Sequence, residues 1–168
     1  MNHVIRISET GGPEVMQWET QEGASPGPSE ILLRQTAVGL NYIDVYFRSG
    51  VYPAPQLPFT PGLEGAGVVE AVGEEVTDLA PGDHVGYAAQ PLGAYAESRL
   101  IPADRVVRLP AGIEDRMAAA MMLKGMTVQY LLRSTVVLKA GDTILFLSLI
   151  HISEPTRPER IGCGGVWL

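Results

Sequence analysis

One cysteine, Cys163, stands in a chain of 168 residues, so no intrachain disulfide can form and no multi-cysteine zinc lobe can be built. The three histidines, His3, His84 and His151, are scattered with no metal-ligand spacing. Lysine is nearly as scarce, with only Lys124 and Lys139. The balance of 12 basic against 19 acidic side chains gives a net charge of −7. With no Lys/Arg cluster to override it, that charge argues against a nucleic-acid partner. No apolar run reaches the roughly 20 residues of a membrane span, and the N-terminus lacks a signal peptide's basic-then-apolar layout. The expectation is a soluble, cytoplasmic protein with no membrane span. What the chain does have is punctuation. Its 19 glycines and 13 prolines, in a composition 46% hydrophobic and 18% charged, describe a globular, β-rich body with many turns rather than a helical bundle.

Residues 4–7 (VIRI) are β-branched and predict a strand; Gly11-Gly12-Pro13 turns the chain, and the alternation in 15–19 (VMQWE) predicts the returning strand. Residues 23–29 form a loop, and 30–40 (EILLRQTAVGL) a long strand. Asn41 can cap a short helix over 41–48, with Asp44 three residues on, where a carboxylate favours the first turn. Four prolines between 51 and 61 exclude a regular element there. Strands follow at 65–73, 84–88, 92–97 and 105–110, with Pro81-Gly82-Asp83 as a turn, a spacing that suits a small barrel or sandwich. After Gly112 the texture changes. Residues 113–133 contain no proline and are helical by propensity, with Gly125 expected to split them into two helices. The apolar run 143–147 (TILFL) predicts a buried parallel strand.

The ordered motifs GGPEV at 11–15, GLNYIDVYFRSGVYP at 39–53, PGLEGAGVVEAVG at 61–73, PGDHV at 81–85, LGAYAE at 92–97 and LKGMTVQYLLR at 123–133 resemble the zinc-independent quinone oxidoreductases of the medium-chain dehydrogenase/reductase superfamily. The resemblance covers residues 1 to about 147. It implies a mainly β fold: a GroES-like, partly open β-barrel with short helices over 1–112, carrying the substrate side of a cleft. The truncated start of a Rossmann α/β domain, a linking helix and first strand, follows over 113–147. It implies transfer of reducing equivalents from NADPH to a quinone or related small-molecule electron acceptor, by an enzyme that is a homodimer at full length. Zinc-dependent relatives place a cysteine where this chain has Asn41, and a histidine where Leu63 stands in Gly62-Leu63-Glu64. Neither residue offers a zinc donor, so no zinc is expected. By resemblance, Asn41, Tyr42, Ile43, Asp44, Val45 and Tyr46 lie against the nicotinamide end of the cofactor. Lys124, Thr127 and Tyr130 line the same cleft from the linking helix, Tyr130 being the best-matched contact. Tyr46 and Tyr52 are the candidate catalytic hydrogen-bond donors, since hydride transfer without a metal needs positioning and a donor near the oxygen that gains charge.

Plainer readings stand beside these. Asn41 and Asp44 suit a helix cap alone; Tyr42 and Tyr46, four apart, suit core packing, with one of them facing the cleft. Tyr52 suits an exposed loop, Lys124 a solvated helix face, His84 a satisfied strand position. Met117, Met121, Met122 and Met126 suit a domain junction. A non-enzymatic GroES-like binding module and an enoyl or other unsaturated-carbonyl reductase are the competing functions. The end of the chain departs from the resemblance. After Leu147 no glycine occurs until Gly162, and Pro155 and Pro158 would stop a helix, so the phosphate-binding turn of a Rossmann domain is not formed. The stretch LSLIHISEPTRP at 147–158 resembles translated sequencing-adaptor DNA. Residues 148–168 are therefore expected to be non-native and the 168-residue chain an inactive fragment, its strand at 143–147 left without partners and prone to association.

Overall fold

An antiparallel hairpin opens the computed structural model, which describes residues 2–54, 56–136, 138–139, 141–145 and 160–162. Strand β1 (Asn2–Ile7) buries Val4 and Ile7 and pairs antiparallel with β2 (Met16–Gln21), across a tight 3-10 turn at Pro13–Val15. The long strand β3 (Glu30–Gly39) lies between β4 (Glu64–Val72) and β6 (Ser98–Pro102). Strand β5 (His84–Ala88) adds to β4, and the two-residue β7 (Val107–Arg108) adds to β5, so the five-stranded sheet runs β6-β3-β4-β5-β7 with every pair antiparallel. Bridges from Val4 to Ala96 and from Ile7 to Phe59 tie the β1–β2 hairpin to the loops beside this sheet. The result is mainly β and partly closed, as the sequence predicts.

Period two explains what is inside. Ile31 and Leu33 of β3, Val69 of β4, Val85 and Tyr87 of β5 and Ile101 of β6 are fully buried in one cluster, while Arg34 faces out. Each branched side chain so buried contributes about 1.5–3 kcal/mol. At two positions of β4 the neighbouring strands leave no room for a side chain. A Cβ at Gly67 would collide with the Arg34 carbonyl oxygen, and one at Gly65 would sit 2.7 Å from the Tyr87 hydroxyl. Helix α1 (Tyr42–Ser49) buries Phe47 against Ile7, Phe59 and Leu63, and stops at Gly50, whose φ of 80° suits a residue without Cβ. Helix α2 (Asp115–Gln129) lays Ala118 and Ala119 against Ala66 of β4, with Met122 packed alongside.

The sequence expectations fail in four places. Residues 92–97 are not a strand; the strand lies one step later, at β6. Their backbone groups serve different segments instead: Tyr95 N–H donates to Pro61 O (2.9 Å), Ile5 N–H to Tyr95 O (2.8 Å) and Gln35 N–H to Glu97 O (2.8 Å). Arg99, stacked over the Tyr87 ring at 4.9 Å, holds the start of this loop through Pro91 O and Leu92 O. The strand expected over 105–110 shrinks to β7, because Ala103–Arg105 forms a 3-10 turn. Gly125 does not split the helix. One glycine among good helix formers costs about 1 kcal/mol, and α2 runs through it to Gln129 before widening into π-type turns at Tyr130–Thr135. Finally, β8 (Thr143–Leu145) is neither parallel nor unpartnered. It pairs antiparallel with β9 (Arg160–Gly162), Ile144 opposite Ile161. An apolar run fixes burial tendency, not strand direction, and residues 160–162 of the same chain supply the partner. Phe146, Leu147 and residues 148–159 and 163–168, Cys163 among them, lie outside the described residues. The chain divides into two compact units, 1–125 and 126–168. All three buried clusters belong to the first.

Candidate active site

Two neighbouring elements of the first unit deliver the chemistry: α1 with the loop after it, and the turn of α2 that meets the start of β4. Asn41 sits at the N-cap position of α1, and its N–H donates to Asp44 Oδ2 (3.0 Å), the reciprocal half of a capping pair. The carboxamide reaches elsewhere. Its Nδ2 donates to Glu64 Oε2 (2.7 Å), and its Oδ1 accepts from Lys124 Nζ (3.0 Å). Glu64, the first residue of β4, is completely buried, yet three donors surround it: Asn41, the backbone N–H of Leu123 on Oε1 (2.7 Å) and Lys124 Nζ at 3.8 Å. A buried carboxylate is tolerated where donors replace its lost water. Gly39 makes room for this cluster, because a Cβ there would strike both the Glu64 carboxylate and the Ala119 carbonyl oxygen. The cleft beside it has a volume of about 300 Å³ and is lined by Gly39, Leu40, Arg116, Ala119, Ala120 and Lys124. Its charged lining residues are both cationic.

On α1, Asp44 is buried, with Oδ2 accepting from Tyr95 Oη (3.0 Å) as well as from Asn41. Burial holds this carboxyl above the usual carboxylate range, against the two hydrogen bonds that pull it down. Burial and the neighbouring Asp44 push the Tyr95 phenol well up in turn. Tyr46 packs edge-to-face on Tyr42 (5.1 Å) and beside Tyr52 (5.1 Å), whose N–H donates to Tyr46 O. Tyr42 is 71% exposed and Tyr46 is half-buried. Ile43 joins the Ile7–Phe59 cluster, and Val45 is half-buried.

Of the residues singled out in the sequence, Asn41, Asp44 and Lys124 thus come together in one hydrogen-bonded network, and Tyr42, Tyr46 and Tyr52 in one aromatic group. Thr127 and Tyr130 belong to the second unit, Tyr130 with a largely exposed side chain. Sequence reasoning missed Glu64 and Tyr95. In the sequence Glu64 stands out only as the neighbour of an absent zinc ligand, although an acid opening the small-residue run EGAGVV signals a buried, partnered carboxylate. Tyr95 was hidden by a strand reading that the structure overturns. Met117, Met121 and Met126 are about half exposed, and only Met122 of that set packs into a buried cluster. His84 is partnered, through Nδ1, by Asp115 Oδ1 at 2.8 Å.

Comparison with known proteins adds four findings. Residues 27–111 match the alcohol dehydrogenase GroES-like domain. The chain is 54% identical over 142 residues to a quinone oxidoreductase of Pseudomonas aeruginosa, covering 84% of this chain and 44% of that protein. It is 43% identical to a 2-haloacrylate reductase of Burkholderia, covering 83% and 43%. Among solved structures, an Escherichia coli quinone oxidoreductase complexed with NADPH aligns with a TM-score of 0.81 at 44% identity, over 84% of this chain and 43% of that one. The chain therefore spans less than half the length of the curated relatives it matches.

Proposed function

The chain belongs to the alcohol dehydrogenase GroES-like family, and from that premise we propose that it is the substrate-side part of a zinc-independent NADPH:quinone oxidoreductase. The observation that carries this reading is what occupies the two positions where zinc-dependent relatives hold ligands. Asn41 is committed to Glu64 and Lys124, and Leu63 is 5% exposed within an apolar cluster. Zinc takes thiolate, imidazole or carboxylate donors, and neither residue is one. Among the described residues no three His, Cys, Asp or Glu are grouped to hold a metal.

The donor set suits the nicotinamide end of NADPH. Lys124 brings N–H donors to a cleft whose wall at Gly39 carries no Cβ, which fits a ribose or carboxamide oxygen. When bound, NADPH supplies the hydride. Tyr46 and Tyr52 donate O–H to the acceptor oxygen that gains charge, while Ile43 and Asp44 hold α1 in place. Thr127 and Tyr130 extend the cofactor contacts, and the full-length enzyme is a homodimer, on the family resemblance. Residues from about 148 onward are foreign to it, a reading supported by an alignment to its relatives that covers 84% of the chain.

Full-length protein from the native locus is expected to oxidise NADPH with 1,4-benzoquinone, unaffected by chelators. Tyr46→Phe and Tyr52→Phe should each lower kcat about 10²-fold. The 168-residue chain alone should not exceed the uncatalysed rate. Absence of turnover by the full-length enzyme, or its loss on chelation, overturns the proposal. A second reading, reduction of an unsaturated carbonyl compound, is favoured by the similarity to a 2-haloacrylate reductase; replacing the quinone by 2-chloroacrylate in the same assay separates the two.

A further inference from the structure

We propose that Glu64, which no ligand need touch, is a positioning residue that sets the hydrogen-bond polarity of the cleft beside Lys124. The proposal rests on the assignment of Asn41 and Lys124 to the cofactor end.

A carboxamide has one accepting and one donating end, and the choice between its two orientations belongs to its neighbours. A carboxylate only accepts and an ammonium only donates. Glu64 Oε2 therefore draws Asn41 Nδ2 inward at 2.7 Å, and Oδ1 is left to accept from Lys124 Nζ at 3.0 Å. The opposite orientation would set Oδ1 against a carboxylate and Nδ2 against an ammonium. Glu64 cannot itself turn away. Its Oε1 is held by the Leu123 N–H at 2.7 Å, its side chain is fully buried, and Gly39 and Ala119 close in on it. The carboxylate thus fixes Asn41, and the two together fix Lys124. The cleft then presents a cationic donor rather than an amide whose ends could exchange, and the ligand atom it receives is an acceptor oxygen.

Replacing one carboxylate oxygen by an NH₂ group, at almost unchanged shape, tests this logic. In Glu64→Gln the Leu123 N–H still requires the oxygen. The new Nε2 must then face Asn41, which turns its Oδ1 inward and its Nδ2 toward Lys124, and the ammonium loses both partners. The chain has two asparagines and two lysines, so selective ¹⁵N-asparagine and ¹³C-lysine labelling gives spectra in which Asn2 and Lys139 serve as references. Expected in Glu64→Gln are a shifted Asn41 Nδ2 signal with side-chain exchange about tenfold faster, and Lys124 Cε signals narrowed by motion, with Asn2 unchanged and, in a uniformly ¹⁵N-labelled sample, the Ile31 and Leu33 backbone amides unchanged. A folded Glu64→Gln with Asn41 and Lys124 signals as in the wild type overturns the proposal. So does a loss of protection spread evenly over the core, which is what a merely structural role produces. Lys124→Met, at a largely exposed side chain, decides the matter if Glu64→Gln does not fold. Asn41 should stay protected there, because Glu64 and not Lys124 orients it, and loss of that protection overturns the proposal. Reduced nicotinamide mononucleotide separates this claim from the one beneath it. If it moves neither the Asn41 nor the Lys124 signals of the wild type, the cofactor assignment fails, while the Glu64→Gln comparison still decides the role of Glu64.

Discussion

Gly39 shows how little tolerance the site has. A methyl group there meets the Glu64 carboxylate on one side and the Ala119 carbonyl oxygen at 2.5 Å on the other. Neither is the free end of a flexible chain, since the carboxylate is held by Asn41 and Leu123. Gly39→Ala should therefore destabilise the fold by about 1–3 kcal/mol, read from the urea midpoint, and should disturb Asn41 before it disturbs the distant hairpin. The same crowding explains what the sequence disclosed at this scale. Asn41 and Asp44 announced themselves by cap spacing, and Lys124 by rarity. For Glu64 the small-residue run that it opens signals burial, but its partners stand 23 and 59 positions away, and no local pattern encodes a contact of that separation.

At the scale of elements, helix α2 is fastened at both ends of its first unit segment. Leu123 N–H meets Glu64 near one end; near the other, Asp115 accepts from Thr36 Oγ (2.5 Å) and pairs with His84 Nδ1 (2.8 Å). Burial opposes charge on Asp115, yet the hydrogen bonds from Thr36 and His84 outweigh it and hold its carboxyl below its ordinary 3.8. A depressed carboxyl contributes stability that is present above the unfolded value and lost as pH falls through the folded one. Asp115→Asn should therefore lower stability by a constant amount above about pH 5 and flatten the fall of the profile below about pH 4, measured as urea midpoint against pH. Strands with period-two burial and the α1 start were legible because their signals are local. The 92–97 loop was not: LGAYAE reads as a strand, but Arg99, Gln35 and the hairpin claim its carbonyls one by one. The direction of β8 was equally hidden, since pairing partners rather than composition decide it.

For the whole molecule, the three buried clusters all fall within residues 1–125, so that portion has the means to fold alone. A chain ending at Gly125 should unfold cooperatively, with near-ultraviolet dichroism and calorimetry reporting one transition; a broad, non-cooperative melt would show that 126–168 is needed. The sheet also guards itself against misassembly. Arg34 and Tyr87 approach β4 where Gly67 and Gly65 have no side chain. If β4 slips by one residue, Ala66 or Val68 arrives where only hydrogen fits; if it slips by two, Val69 or Leu63 does. A misregistered sheet thus carries a steric penalty that the native register avoids. Because Glu64 opens this same strand, the register that these two glycines favour is also the one that turns the carboxylate toward Asn41 rather than out to water.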